Sequence, residues 1–399
     1  MPLHILAIAP TGFFADYGCH VRIRGQLAAL AARGHYIQLV TYPNGRDVDG
    51  LATSRPFLWP KGRHIPVGSS RRKLLLDGLL LPTAIDATRR FPGGRPHLIH
   101  AYLHEGALIG AWLASWLRVP LVFDFQGSLT SEMLDHRFVQ PGSAWLSPLR
   151  WLERWINRQP QAVLASSHYG AQLLVSCFGL EPARVHAVPD SIDPLAFRPR
   201  AELDQQRLAA LRRRLGVPAD RPLLVYLGLL APYQGTDILL AALARLAQEP
   251  CFPYSLIMGF PDVDHYRDLA ARLGLASHIT FTGQIPYEQA PWYLALGDVA
   301  VAPKLSATEG SGKLLTYMAA GLPVVAFDTP VHREYLGDLG RYAPPGDAGS
   351  LAAAIRAALE QKDTYQSQGK ALRACALASY TWQHAADQIE AVYASLQSL

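Results

Sequence analysis

The six residues Thr308-Glu309-Gly310-Ser311-Gly312-Lys313 set a carboxylate, two glycines and an ammonium side by side. They follow an apolar run, residues 299–302, closed by Pro303, and precede residues 314–320, whose apolar spacing predicts a helix. Glycine lets a backbone approach a ligand closely, and the free N–H groups of a helix start attract anions. A phosphate or pyrophosphate is therefore the natural guest of Gly310, Ser311 and Gly312. The spacing is not that of a P-loop: Ala307 stands five before Gly312, and Leu314 follows Lys313 where Ser or Thr is required. A glycine-rich turn with no ligand is the plain alternative. Lys313, in the first helical turn, opposes the helix dipole unless an anion lies between them. Lys304, just after Pro303, is a second cation of the same segment. Both are candidates for stabilising a departing diphosphate, against the alternative of solvated surface lysines.

These residues need elements to hold them. Residues 4–9 form a short apolar run ended by Pro10 and Gly12. From Val21, the positions Ile23, Leu27, Leu30 and Ala31 recur at helical spacing, Gly34 marks a stop, and residues 36–41 read as a second strand. The alternation continues through strands at 97–101, 121–125 and 162–165, with a helix over 106–117. The stretch 189–199 has three prolines and no periodicity, and reads as a linker in which Asp190 and Asp193 are turn residues. A second series follows, with strands at 223–227, 254–258, 279–282, 299–302 and 323–327. Its helices are expected from about residue 236, then at 266–273, 313–320 and 351–360. The pattern predicts an α/β protein of two Rossmann-like domains, 1–190 and 200–380, with parallel sheets facing an interdomain cleft. Ligands in such sheets bind at the carboxyl ends of the strands. His104 and Glu105 fall there, although His104 reads equally well as a capping or core histidine.

Half of the 399 residues are apolar and 17% are charged, a globular composition that excludes disorder, coiled coil and collagen-like repeats. The uncharged apolar stretch 106–117 is too short for a bilayer span of about 20 residues. The leucine run 74–81 is interrupted by Asp77 and closed by Pro82. No cleavable signal peptide is visible, and Cys19, Cys177, Cys251 and Cys375 stand far apart. Neither a zinc site nor a disulfide framework is indicated, and a soluble cytosolic protein is expected. Charge is uneven. Residues 1–200 hold 21 Lys and Arg against 13 Asp and Glu, a net of +8, and residues 201–399 carry a net of −3. The first half is thus suited to an anionic partner, although a merely soluble basic surface would look the same.

Several segments in order resemble family 4 glycosyltransferases. In the second half they are Gly228-Leu229-Leu230, Gln234-Gly235-Thr236-Asp237, Phe281-Thr282-Gly283, Glu309-Gly310 and Tyr317-Met318-Ala319-Ala320-Gly321-Leu322-Pro323. In the first half Asp16-Tyr17-Gly18, Ala32-Arg33-Gly34-His35 and Val188-Pro189-Asp190-Ser191-Ile192-Asp193 fit, as does Tyr380-Thr381-Trp382 near the end. The resemblance implies a GT-B fold. It also implies transfer of a hexose from a UDP- or GDP-linked donor, with retention at the anomeric carbon and without a metal or other cofactor. The second domain would hold the donor through Gly228, Gln234, Gln284, Ile285, Lys304, Gly310, Ser311, Gly312 and Thr316, with Gly18 reaching in from the first domain. Glu309 would bind the hydroxyls of the transferred sugar, and Lys313 and Gln126 would complete the catalytic set. Tyr17, His104 and Glu105 would meet a glycan, lipid-linked or small-molecule acceptor, and the final helix, 381–399, would pack back on the first domain.

The departures are specific. The Arg and Lys that clamp the diphosphate in the family are replaced by Leu229 and Gln234, and the glutamate pair spaced by eight falls on Thr308 and Thr316, one position from Glu309. A family histidine aligns with Gln126. The donor is then bound differently, or catalysis is lost and the chain is a silent GT-B subunit supporting a partner. A nucleotide-sugar epimerase on the same kind of fold is a third reading. Asp47-Val48-Asp49 and Asp262-Val263-Asp264 imitate a D-x-D metal motif without its context, so no metal site is expected. Arg71-Arg72-Lys73 leads into the leucine run, and Trp151 and Trp155 stand i, i+4 beside Arg150, Arg154 and Arg158. Such helices dock on anionic membranes or simply bury their apolar face, leaving a peripheral location at the inner membrane face as an expectation. No nucleic-acid motif accompanies the charge.

Overall fold

The computed structural model describes residues 2–16, 18–57, 71–91, 94–247, 252–306 and 308–397. The first domain opens with β1 (His4–Ala9), α1 (Gly18–Ala32), β2 (Tyr36–Thr41), β3 (Ala52–Ser54) and α2 (Arg71–Thr88). It continues with β4 (Leu98–Tyr102), α3 (Leu103–Leu117), β5 (Leu121–Phe125), α4 (Leu129–Asp135) and α5 (Leu146–Asn157). It closes with β6 (Ala162–Ala165), α6 (His168–Ser176) and β7 (Val185–Ala187). The second domain begins α7 (Gln205–Arg214), β8 (Leu223–Leu227), α8 (Thr236–Leu246), β9 (Tyr254–Met258) and α9 (Val263–Arg272). Then come β10 (Ile279–Gly283), α10 (Ala290–Leu294), β11 (Val299–Ala302), α11 (Gly312–Ala319), β12 (Val324–Phe327) and α12 (Pro330–Leu336). The chain ends with β13 (Arg341–Ala343), α13 (Ala348–Glu360), α14 (Lys362–Ser379) and α15 (Trp382–Gln397).

The strands pair as β3-β2-β1-β4-β5-β6-β7 and as β10-β9-β8-β11-β12-β13, all parallel. These are two doubly wound sheets of the α/β class, each with a switch point where the strand order reverses, between β1 and β4 and between β8 and β11. The inner strands are buried on both faces, which is why they read as unbroken apolar runs rather than as alternations, whereas the edge strands β3, β7, β10 and β13 are partly exposed.

Three local readings change. Helix α1 begins at Gly18 rather than near Val21, and α3 at Leu103 rather than at Gly106. Helix α2 runs through Pro82 instead of ending there. Leu76, Leu80, Ala84 and Ala87 form one buried stripe along it, and packing of that stripe outweighs the backbone hydrogen bond lost to the proline. Among the described residues, no helix is long and apolar enough to cross a membrane.

The chain passes between the domains twice, and the two passages pair. Ile192 N donates to Tyr380 O at 2.8 Å, and Trp382 N to Ile192 O at 3.3 Å. Residues 189–199 are therefore not a loose linker: Ile192 and Phe197 are fully buried. Beyond this point α15 lies on the first domain, sharing a core with α1 through Ala386, Ile389 and Tyr393. Arg33 pairs with Glu390 at 2.5 Å, and His100 Nδ1 meets the Tyr393 hydroxyl at 2.7 Å. The Trp382 ring lies against Gly25, where a Cβ would come within 2.1 Å of it. Gly25→Ala is thus expected to lower stability by about 1–3 kcal/mol through overpacking, read as a lower urea midpoint. An unchanged midpoint would contradict this docking.

Candidate functional site

The carboxyl ends of the two sheets face each other across a cavity of about 300 Å³. The second domain contributes the segment after β8 (Gly228, Leu229, Tyr233, Gln234), the segment after β10 (Gln284, Ile285) and the segment after β11 (Lys304, Glu309 to Lys313). The first domain contributes the start of α1 (Gly18, Arg22), the start of α3 (His104, Glu105), the β5–α4 turn (Gln126, Gly127) and Glu132. Asp190 closes the floor where the chain passes between the domains.

Lys313 reaches across from α11 to the end of β8. Its ammonium donates to Gln234 Oε1 at 2.8 Å and to the Tyr226 hydroxyl at 3.4 Å, and lies 4.6 Å from the Tyr226 ring centre. Gly228 makes the approach possible, since a Cβ there would sit 2.6 Å from Lys313 Nζ and the residue has a φ of +155°. Among the described residues no carboxylate pairs with Lys313. Burial, helped by nearby Lys304, lowers its pKa to about 7. The result is an amine whose charged form an anion would stabilise.

Lys304 is arranged differently from the expectation of a diphosphate clamp. Its amine pairs with Glu309 Oε2 at 2.8 Å and donates to Gly310 O at 2.7 Å, so it braces the glycine loop from beneath. The loop has no room for side chains. A Cβ on Gly310 would fall 2.5 Å from Asp190 Oδ2, and one on Gly127 would fall 2.8 Å from Glu309 Cγ. Ser311 is buried beside His332, and the Thr316 hydroxyl donates to Lys313 O at 2.7 Å, the usual bond of a helical threonine. Gln284 faces Ala15 and Asp16 across the cleft, and Ile285 is buried in its wall.

On the opposite wall, Gln126 Nε2 is buried without a hydrogen-bond partner among the described residues, a donor that a ligand could satisfy. Glu105 lines the cleft. His104 is only 5% exposed, edge-on to Phe123 and Phe125 with Glu153 at 3.6 Å, and burial lowers its pKa. It touches the cavity but is built as a core histidine. Tyr17 lies outside the described residues. Asp47 and Asp264 of the two D-x-D imitations are paired with Arg55 and Arg267, and no group of three metal-ligating side chains occurs among the described residues.

Asp190 departs from the sequence reading: it is a partly buried residue that lines the cavity and is held by Arg22, rather than a loose linker turn. Arg22 binds Asp124 through Nε and Nη2 at 2.9 and 2.8 Å, and Asp190 through Nη1 at 3.2 Å. Gln26 adds a further donor to Asp124 at 2.9 Å. Arg22 and Asp124 carry a signal in the sequence itself, a charge at an interior position of a helix and another inside the apolar strand Leu121–Phe125. Helix α4 was not foreseen, and with it Glu132 and His136 were missed. The His136 ring stacks on Tyr233 of the other domain with centres 4.8 Å apart, so this pair bridges the cleft. The Glu132 side chain has no hydrogen bond or ion pair among the described residues. Burial and the charges of Glu309 and Glu105 push its pKa up to about 8.

Two family models divide the chain as its sheets do. One, described as a glycosyl transferase 4-like domain, matches residues 17–190, and one described as glycosyl transferases group 1 matches residues 221–361. The chain is a group 1 glycosyltransferase of the family 4-like type. D-inositol 3-phosphate glycosyltransferase 1 of Catenulispora acidiphila is 29% identical over 84% of this chain and 80% of its own length. The phosphatidyl-myo-inositol mannosyltransferase of Mycobacterium leprae is 26% identical over 98% and 96%. Among solved structures, sucrose-phosphate synthase from Thermosynechococcus elongatus superposes with a TM-score of 0.81 at 23% identity, over 99% of both chains. Anabaena HepE in complex with UDP and glucose gives 0.77 at 18% identity, over 98% of this chain and 100% of that one. The architecture is that of the GT-B proteins.

The glycosyltransferase cleft thus has one wall rich in cations and glycine and another that carries carboxyl groups. The folded state holds the Glu132 proton at pH values where the unfolded chain has lost it. Ionising it therefore costs stability as the pH rises from the usual carboxylate range to about 8. Glu132→Gln is expected to melt at a higher temperature than the wild type above pH 8, the difference shrinking toward acid pH. Equal melting at every pH would contradict this placement of the carboxyl.

Proposed function

We propose that this glycosyltransferase moves a hexose from a nucleoside diphosphate sugar, UDP- or GDP-linked, to a hydroxyl of an acceptor held against the first domain. The observation that carries it is the Lys313 ammonium, lodged between Gly228 and Gln234 without an anionic partner at the first turn of α11. In this proposal the amine and the N–H groups at the helix start meet the diphosphate, and they stabilise the charge that develops as it leaves. The Arg and Lys expected at 229 and 234 are then replaced by one cation supplied from the facing segment. Glu309, oriented by Lys304, accepts hydrogen bonds from the sugar's hydroxyls, and the unpartnered Gln126 amide faces the same space from the first domain. With a fixed cation at the diphosphate, no metal ion is required. Retention follows if the acceptor hydroxyl enters on the side from which the diphosphate departs and passes its proton to a departing phosphate oxygen.

Titration calorimetry with UDP and GDP tests the role of Lys313. Its amine is largely neutral in the free protein at pH 8 and charged beside a diphosphate, so beyond any proton exchanged by the nucleotide's own phosphate, binding should take up nearly one proton at pH 8 and almost none at pH 6. Lys313→Ala should abolish the uptake and weaken binding about ten- to a hundredfold, as expected for a lost hydrogen bond to a charged group. Unaltered affinity and no proton uptake would place the diphosphate elsewhere. Absence of binding by either nucleotide to folded wild type would favour a subunit without donor chemistry.

A further inference from the structure

We propose that the outward face of α3 and α5 docks on an anionic membrane surface, so that the acceptor half of the cleft is held beside the bilayer. Five of the chain's eight tryptophans lie on these two helices or at the start of α5. Their exposures are 51% for Trp112, 56% for Trp116, 70% for Trp145, 65% for Trp151 and 41% for Trp155. Tryptophan is rarely left in water in such number, and clustered exposed apolar side chains mark an interaction site. Trp112 and Trp116 stack on each other with ring centres 5.9 Å apart, one turn apart on α3. The two helices are neighbours: Leu152 of α5 packs on the core that holds Leu113 of α3, and Glu153 lies 3.6 Å from His104.

Charge selects the occupant. Between Glu105 and Glu181 the chain has four acids: Asp124 and Glu153 are buried, Glu132 lines the cleft and Asp135 is half-buried. Arg118, Arg137, Arg150, Arg154 and Arg158 are all exposed in the same stretch. The side chains of Arg118, Arg137, Arg150 and Arg154 make no hydrogen bond or ion pair among the described residues. A surface that pairs indole rings with arginines and exposes no acid along α3 and α5 fits anionic headgroups, with the indoles at the interface and the guanidiniums on phosphate. The same charge repels a second copy presenting the same face. Of the basic run at 71–73, Lys73 lines the cleft, and the side chains of Arg71 and Arg72 lie outside the described residues.

Helix α3 runs from this face into the cleft, where Glu105 lines the acceptor side. Docking therefore deepens the proposed function by making the acceptor a lipid-linked one, a clause that rests on the transferase reading, whereas docking itself does not. The test is flotation of the full-length protein with phosphatidylcholine vesicles, with and without about 30 mol % phosphatidylglycerol. Tryptophan quenching by brominated lipids is followed in the same samples. Wild type should float with the anionic vesicles, with quenching, and bind neutral ones at least about tenfold less. The fourfold variant Trp112→Ser, Trp116→Ser, Trp151→Ser, Trp155→Ser should lose flotation while keeping the melting temperature and nucleotide binding of the wild type. Substituting Arg118, Arg150 and Arg154 by Gln should lower binding and its dependence on salt. No flotation at low salt, equal flotation of the fourfold variant, or a wild-type dimer that the fourfold variant dissolves would each overturn the proposal. Nucleotide binding, scored separately, shows whether the donor site stands when docking fails.

Discussion

A buried guanidinium organises the cleft. Arg22, 2% exposed, is held between Asp124 of β5 and Asp190 at the passage between the domains. A charge so far from water is tolerable only when it is paired and its donors are satisfied, and removing either partner leaves an uncompensated ion. The first-domain sheet, helix α1 and the passage therefore keep one arrangement. Asp190 passes that arrangement on. Its carboxylate occupies the space a side chain at Gly310 would need, so the glycine loop of the second domain closes directly on it. Tyr335 fastens the same corner, donating to Ser166 O at 2.9 Å and accepting from Asp190 N at 3.3 Å. The ends of Glu334 cap α6 through His168 N and Tyr169 N.

Around this corner lies the side of the pocket to which the proposed function assigns the diphosphate. A glutamine and a leucine stand where the resemblance calls for cations, yet the space is not left without charge. The Lys313 stem crosses Gly228 and brings its ammonium to the glutamine that occupies one of those positions. Glycine at 228, which the resemblance shares, and glutamine at 234, which departs from it, act together on Lys313. The first removes the side chain that would block the lysine, and the second provides a neutral acceptor that orients the amine without cancelling its charge. Lys304 is nearby but paired with Glu309, so the two lysines divide between orienting a carboxylate and facing a ligand.

The parallel sheets were legible in the sequence because strands buried on both faces leave short apolar runs, and here these alternate with helical patterns. The glycine loop was legible because its composition follows from its backbone. Pro82 misled because the rule for proline in helices concerns local hydrogen bonding, whereas α2 is held by its buried stripe. Asp190 was hidden for the opposite reason: a segment rich in proline and aspartate has the look of a turn wherever it lies. Only the fold shows that this one is pressed between two domains. His104 sat at the expected position, and its aromatic surroundings, drawn from β5, were not readable in advance. Trp151 and Trp155 were visible as a spaced pair. Their membership in a larger exposed surface depends on how α3 and α5 pack.

Catalysis of hexose transfer at this cleft is tested most directly through the slow reaction of the donor with water. Wild-type protein is incubated with UDP- and GDP-hexoses bearing an α linkage, without acceptor, and the released sugar is followed by proton NMR before its anomers equilibrate. One donor should yield nucleoside diphosphate together with hexose that is first α, and Glu309→Ala and Lys313→Ala should each suppress the release. Release of the β anomer would contradict retention. Folded wild type that binds a nucleotide yet releases no sugar from any donor would contradict catalysis itself.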